Sequence, residues 1–121
     1  MQFHCLIYFD PAVVFADTPE ARAMLSKVGP RIEELQASGQ LIMQQPLNLP
    51  SEAVTVEVRK GRVRITDGPF AEAKEMLGGL ALIEAKDREE AIRIAASLPH
   101  AELGHVEVRP AIDFSKPRPS F

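Results

Sequence analysis

The chain has 121 residues and a net charge of −3, and hydrophobic residues make up 45% of it. This length and composition favour a single globular domain with a hydrophobic core. Basic residues are not clustered, so we expect no nucleic-acid partner, and no apolar run reaches the roughly 20 residues that cross a bilayer. The chain starts without a basic signal-peptide region and has one cysteine, Cys5. Both features are typical of a cytoplasmic protein.

A β-strand pattern opens the chain at residues 2–9. One face carries Phe3, Cys5, Ile7 and Phe9, and the other carries His4, Leu6 and Tyr8. Because both faces are largely apolar, both are expected to be covered. Cys5 is expected to be a buried thiol rather than a nucleophile.

Two helices are predicted from capping signals and helical periodicity. The first starts at Asp17 and ends at the Ser38-Gly39 pair, and its apolar stripe consists of Ala21, Leu25, Val28, Ile32 and Leu35. The stripe stays in phase across Gly29-Pro30, so we expect a kink there rather than two helices. The second helix follows Asp87 and ends before Pro99.

Further strands are predicted from apolar runs at residues 41–47, 54–59, 62–66, 80–85 and 104–110. Lys60-Gly61 has the composition of a tight hairpin turn. On the last strand, His105, Glu107 and Arg109 point to one side of the sheet, opposite to Val106 and Val108. Residues 113–121 are predicted to form a tail, or an arm onto a partner subunit.

Residues 65–79 hold more charged and turn-forming side chains than a connection between two strands needs. Asp67 can bond forward to backbone amides, and Gly68 can adopt a positive φ. Phe70 is then expected to anchor the turn. Residues 71–77 are rich in helix formers and are predicted to make one or two helical turns, which the glycines at 78 and 79 end before a strand begins through a bulge.

The resulting order is β-α-β, a β-hairpin, and β-α-β. Two helices on one face of an antiparallel sheet form a ferredoxin-like α+β fold, here with an extra hairpin. Few elements remain to cover the second face of the first strand. A second copy of the sheet is the simplest cover, so we expect a homodimer with a cleft at its interface.

Candidate site residues come from the first strand, the last strand and the 65–79 segment. We assign acid–base chemistry to His105, Asp67 and Glu107, and ligand binding to His4, Tyr8, Glu72, Lys74, Glu75 and Arg109. An imidazole beside Glu107 suits proton transfer, and Arg109 can hold an anionic substrate. Alternatively, Glu107 and Arg109 pair with Lys74 and Glu72 and only fix the segment onto the sheet. Neither a metal site nor a cofactor is expected, because no close pair of Cys or His ligands occurs.

The run Asp67-Gly68-Pro69-Phe70, with Gly78-Gly79 after it and Val106-Glu107-Val108-Arg109-Pro110 near the end, resembles the YCII-related family. The closer resemblance is to its subgroup named for the Asp-Gly-Pro-Phe (DGPF) signature. It implies one domain over residues 1–112, a dimeric α+β barrel of bacterial type without an assigned reaction. A better-studied branch carries an early His/Asp pair suspected of acid–base catalysis, for which this chain offers only His4 and Asp10.

Two functions remain open from the sequence, and it does not decide whether the protein is an enzyme. In the first, the protein binds or transforms a small molecule in the dimer cleft, with anionic compounds the favoured class. In the second, it is a non-catalytic dimeric module for regulation or interaction. Similar family members occur near or fused to sigma-class transcription-factor subunits, which links the second function to transcription control.

Overall fold

The computed structural model describes residues 1–117 of the chain. Its six strands are β1 (Gln2–Phe9), β2 (Leu41–Pro46), β3 (Val54–Arg59), β4 (Arg62–Asp67), β5 (Met76–Glu84) and β6 (Gly104–Pro110). Its helices are α1 (Pro11–Val14), α2 (Pro19–Ala37) and α3 (Arg88–Ala96), with 3₁₀ turns at Pro50–Glu52 and Pro99–Glu102. The end of the predicted tail, residues 118–121, lies outside the described residues.

Four strands form one antiparallel sheet in the order β2-β5-β1-β6, and β3 pairs with β4 as a separate hairpin. Helices α2 and α3 pack on one face of the four-stranded sheet. This is the α+β arrangement that the order of elements predicts, so the predicted fold class is confirmed.

The inward side chains of β1 form the centre of the core. They are at most 7% exposed: Phe3, Cys5, Ile7 and Phe9. The helices cover them with Met24, Leu35, Ala91, Ile94 and Ala95. Burial raises the pKa of the Cys5 thiol to about 11, so the unreactive thiol form persists at neutral pH, as its predicted structural role requires.

Helix α2 differs from the prediction at its start and on its buried face. Thr18, not Asp17, is the N-cap, and its side chain accepts a hydrogen bond from the Ala21 amide at 3.2 Å. Met24 is 1% exposed, whereas Leu25 is 41% exposed. Both Met24 and Leu25 fit the helical period from Ala21, and tertiary packing selects the residue three positions on. The helix runs through Pro30 as one element, without being split there.

The predicted helix at residues 71–77 is wrong. Strand β5 begins already at Met76, which pairs with Phe9, and Leu77 pairs with Tyr8. Ile7 then pairs with Gly79, so Gly78 is the extra residue of the predicted bulge. A short isolated helix carries a nucleation cost, whereas pairing with β1 extends an existing sheet. Phe70 does not anchor the turn within the protomer, because its side chain is 91% exposed.

The β3–β4 hairpin is more exposed than its alternating pattern suggests. Its turn is formed by Lys60 and Gly61, with φ of 52° and 74°, as predicted. One side, here called the apolar hairpin face, consists of Val54, Val56, Val58, Val63 and Ile65, which are 55–66% exposed. Val56 lies opposite Ile65, and Val58 lies opposite Val63. Nothing within residues 1–117 covers this face.

Gly104, at the start of β6, is expected to tolerate no larger residue. A Cβ atom there would lie 2.3 Å from the carbonyl oxygen of Tyr8. Because this neighbour belongs to the backbone of the central strand, Gly104→Ala should lower the free energy of unfolding by about 1–3 kcal/mol. Urea denaturation followed by circular dichroism measures this loss.

Gly29→Ala is the matched control. A Cβ atom at Gly29 meets nothing within 4 Å, and the residue lies inside α2. Because alanine is the better helix former, this variant should be as stable as the parent or up to about 1 kcal/mol more stable. Equal unfolding midpoints for the two variants would contradict the close approach of β6 to β1.

Candidate functional site at one end of the open sheet face

The face of the four-stranded sheet opposite the helices, here called the open face, carries most of the predicted site residues. Three rows cross it from β6 through β1 to β5: His105–Tyr8–Leu77, Glu107–Leu6–Leu80 and Arg109–His4–Leu82. The face is therefore polar along β6 and apolar along β5. The leucines of this face are half-buried, and no element within residues 1–117 covers them: Leu6, Leu77, Leu80 and Leu82.

The strand register separates the predicted residues into two ends of the open face. His4 and Tyr8 are four residues apart on β1, which corresponds to about 13 Å along a strand. Arg109 lies beside His4 at one end, and His105 lies beside Tyr8 at the other. These residues share a face, as predicted, but one small ligand does not reach both ends.

A carboxylate holds the imidazole at the Tyr8 end. Nδ1 of His105 lies 2.9 Å from each oxygen of the Glu75 side chain. The contact follows from the sheet, since Phe9 pairs with Met76 on one side and with Gly104 on the other. Glu75 and His105 therefore flank the same end of β1. A carboxylate at Nδ1 favours the proton on that nitrogen and leaves Nε2 as the acceptor.

The pairing of the other charged residues differs from both predictions made for them. The carboxylate beside His105 is Glu75, not Glu107. Glu107 instead accepts a hydrogen bond from Nε of Arg109, two residues along the same face of β6. This pair leaves Glu107 and Arg109 bound to each other rather than to Lys74 and Glu72.

An open cleft of about 440 Å³ lies next to the His105–Glu75 pair. It is lined by Asp10, Val13, Ala73, Lys74, Glu75 and Leu103. Asp10 is held there because it caps α1, accepting a hydrogen bond from the Ala12 amide at 2.9 Å. Within residues 1–117, Lys74 forms no ion pair. The lining of the cleft thus includes one ammonium group, that of Lys74, and two carboxylates, those of Asp10 and Glu75.

Asp67 and Glu72 are not brought to this cleft. Asp67 ends β4 opposite Val54, in the separate hairpin, and Glu72 is exposed in the connection to β5. Two hydrogen bonds hold the signature turn: the Gly68 amide donates to the Ala53 carbonyl at 2.7 Å, and the Thr55 hydroxyl donates to the Gly68 carbonyl at 2.9 Å. Gly68 has a φ of 96°, as predicted. Within the described residues, the Asp67 side chain accepts no hydrogen bond from the backbone amides that follow it.

Of the predicted residues, the structure brings together Tyr8, Lys74, Glu75 and His105. Asp10 was missed as a site residue, although an Asp-Pro pair before a helix is a capping signal that could have placed it. Among residues 1–117, no group of three or more Asp, Glu, His or Cys side chains could hold a metal ion. In the same part of the chain, no helix is both long and apolar enough to cross a membrane.

The family is decided by comparison with known proteins. The model of the YCII-related domain matches residues 1–115. The chain belongs to the YCII-related family. An uncharacterised protein of Rhizobium meliloti (strain 1021) is 42% identical over 60 residues, which are 48% of each chain. The match thus spans about half the length of that relative.

A solved structure supports the fold over nearly the whole chain. It is the 5-chloro-2-hydroxyhydroquinone dehydrochlorinase from Burkholderia phenoliruptrix AC1100, in complex with 2,5-dihydroxybenzoquinone. The TM-score is 0.55 at 16% sequence identity, and the match covers 93% of this chain and 94% of that one. At this sequence identity the likeness shows the fold alone, and it says nothing about activity.

The geometry at His105 predicts a tautomer that NMR can detect. With Glu75 at Nδ1, the neutral ring should carry its proton mainly on Nδ1, and Glu75→Ala should remove this preference. Long-range ¹H–¹⁵N spectra of the imidazole at alkaline pH measure the change. Glu72→Ala, which removes an exposed carboxylate of the same segment, should leave the spectrum unchanged. Identical spectra for the parent and Glu75→Ala would show that the pair does not form in solution.

Proposed function

We propose that this YCII-related protein is a homodimer that binds a small anionic molecule at the His105 end of the open face and assists proton transfer to or from it. The observation that carries the proposal is the contact of Glu75 with Nδ1 of His105, beside a cleft that contains Lys74. An oriented imidazole and a nearby ammonium group are what acid–base chemistry on an anion requires.

Each group has a separate role in this proposal. Glu75 orients the ring, so that Nε2 of His105 accepts a proton from a hydroxyl or an acidic C–H group of the ligand. Lys74 attracts the negative charge and stabilises it as it develops. Tyr8, the cross-strand neighbour of His105, supplies a hydroxyl group and a ring edge that orient the ligand.

The ligand of the structural neighbour fits this chemistry. 2,5-Dihydroxybenzoquinone carries acidic hydroxyl groups and carbonyl oxygens on one small ring. An ammonium group can pair with its oxygens, and a histidine can exchange its protons. A compound of this type bound to a protein of the same fold supports a hydroxylated, acidic ring as the first class to test here.

The dimer in this proposal is supported by apolar surface that the protomer leaves uncovered. The apolar hairpin face is 55–66% exposed, and Phe70 of the signature turn is 91% exposed. A two-stranded hairpin is marginally stable without further packing. Covering such surface contributes about 25 cal/mol per Å². His105 is itself 78% exposed in the protomer, and a second copy placed over the open face would shield it from bulk water.

The domain limits and location belong to the same proposal. We assign residues 1–112 to the domain and residues 113–121, of which the structure describes 113–117, to a tail or an arm onto the partner subunit. An arm is supported by Phe114, which is 77% exposed and lies two residues after the exposed Ile112. A cytoplasmic location is supported by Cys5, a free thiol in the core.

The dimer is tested by placing a charge on either side of the hairpin. Ile65→Glu puts a carboxylate on the apolar hairpin face, and Thr66→Glu puts one on the polar side of the same strand. If the apolar face is buried between two copies, Ile65→Glu should shift the protein to monomers at micromolar concentration, because burying an unpaired charge is costly. Thr66→Glu should stay dimeric. Sedimentation velocity that gives a folded monomer for the parent would reject the dimer.

The site is tested with 2,5-dihydroxybenzoquinone as the probe in isothermal titration calorimetry. His105→Ala and Lys74→Ala should each weaken binding about 10-fold or more, since each removes a hydrogen bond to a charged group. Lys86→Ala, an exposed lysine before α3, is the control and should bind like the parent. If the parent and the three variants bind the probe with equal affinity, the site assignment is rejected. A dimer without any binding would favour the non-catalytic module.

A further inference from the structure

The two faces of the four-stranded sheet differ in what they offer to a charged ligand. The helix side holds a cavity of about 70 Å³, whose wall includes Phe9 and Leu98 and no Asp, Glu, Lys or Arg. His100 also lines this cavity, but burial lowers the pKa of its ring, and its Nδ1 is shielded from solvent. On this sheet, the charged groups that an anion can reach therefore lie on the open face.

Arg109 is the arginine of the open face, and the proposed His105 site does not yet use it. Its side chain is 67% exposed, and its Nε donates a hydrogen bond to Glu107. Within residues 1–117, its two terminal nitrogens form no hydrogen bond. A guanidinium group can bind an anion through such a pair of donors. In its own protomer, however, Arg109 lies about 13 Å along β6 from His105.

A second copy packed on the open face can remove this separation. Two sheets packed face to face in a homodimer are related by a twofold axis between them, which runs either across the strands or along them. An axis across the strands, through the Glu107–Leu6–Leu80 row, places β6 over the partner's β6. An axis along the strands places β6 over the partner's β2, so that Arg109 lies against the apolar Met43, which extends the row of Leu82.

The distribution of charge over the open face favours the axis across the strands. Charged groups lie along β6 and leucines along β5, so this axis packs the polar strands together and leucines on leucines. The other axis places a guanidinium group on an apolar side chain, and burying a charge without a partner is costly. Across the axis Glu107 faces its own counterpart, and each is paired with Arg109 of its own strand. This axis reverses β6, so the Arg109 end of each copy lies over the His105 end of the other.

We propose that the partner subunit's Arg109 completes the His105 site and binds the anionic group of the ligand there. This inference rests on the proposed function, because it adds a residue to the same site. Packed sheets lie about 10 Å apart, so side chains that extend from both sheets can enclose a small ligand between them. Each dimer then has two equal sites, and each site consists of residues from both copies.

The contribution of the arginine is measured by isothermal titration calorimetry with 2,5-dihydroxybenzoquinone. Arg109→Ala should weaken binding about 10-fold or more, since it removes hydrogen bonds between charged groups. Arg93→Ala removes an exposed arginine of α3 and should bind like the parent. If Arg109→Ala binds like the parent while His105→Ala is weakened, this inference is overturned and the proposed function stands.

Mixed dimers decide which copy supplies the arginine. A dimer of one His105→Ala copy and one Arg109→Ala copy, purified through two different affinity tags, should regain one site of parental affinity. In that dimer one intact His105 faces one intact Arg109. A dimer of the parent with the double variant His105→Ala/Arg109→Ala should have no such site. The reversed result would place Arg109 in the site of its own protomer, and equal numbers of sites in the two mixed dimers would likewise reject the inference.

The packing is tested without a ligand by chemical cross-linking. Glu107 lies on the proposed axis, so Glu107→Cys should give a covalent dimer with a short bismaleimide on denaturing gels. Cys5 is 0% exposed and does not compete. Glu89→Cys, on the exposed side of α3, should give no covalent dimer. With the axis along the strands, the two cysteines are offset by three strand spacings, or about 14 Å, in addition to the distance between the sheets. A parent dimer in which Glu107→Cys forms no link would overturn the inference.

Discussion

The pairing of β1 with β5 on one side and β6 on the other is the constraint on which the rest of the structure depends. Every second side chain of β1 enters the core, and each alternate one faces the open side. The two neighbours must therefore match this strand closely. A Cβ atom at Gly78 would lie 2.1 Å from the ring of Phe9, and the bulge at this glycine lets Leu77 stay beside Tyr8. Any side chain at position 78 would force the buried Phe9 ring to move, which favours glycine here.

Local pattern was sufficient for most of the fold. Alternation of period two identified the strands, including their inward and outward faces, and the Lys60-Gly61 turn identified the hairpin. Local pattern failed at residues 71–77. These residues are rich in helix formers, yet they form the connection to β5 and the start of that strand. The start of β5 is set by its partner Phe9, more than sixty residues away in sequence, and no local propensity contains that information.

The candidate site, too, was predictable from local pattern only in part. The shared face of His4, Tyr8, His105, Glu107 and Arg109 follows from alternation along two strands, and the sequence predicted it. The carboxylate that meets His105 depends on the relative register of β5 and β6. Alternation along β6 alone pairs His105 with Glu107, and it does not identify Glu75. The enclosed Nδ1 of His100 has no sequence signal at all, because its environment is built by α2, β2 and β5 together.

Strand β1 also explains how one thin sheet separates two histidines with opposite surroundings. Its even-numbered residues face the open side of the sheet. On that side His105 of the neighbouring strand is paired with a carboxylate and is largely exposed. Its odd-numbered residues face the helices, and on that side burial lowers the pKa of His100, whose Nδ1 is shielded from solvent. Phe9 belongs to both regions: its backbone pairs next to Glu75 and His105, and its ring lines the cavity. The backbone pairing of Phe9 is fixed from both sides, so this one residue supports the surroundings of both histidines.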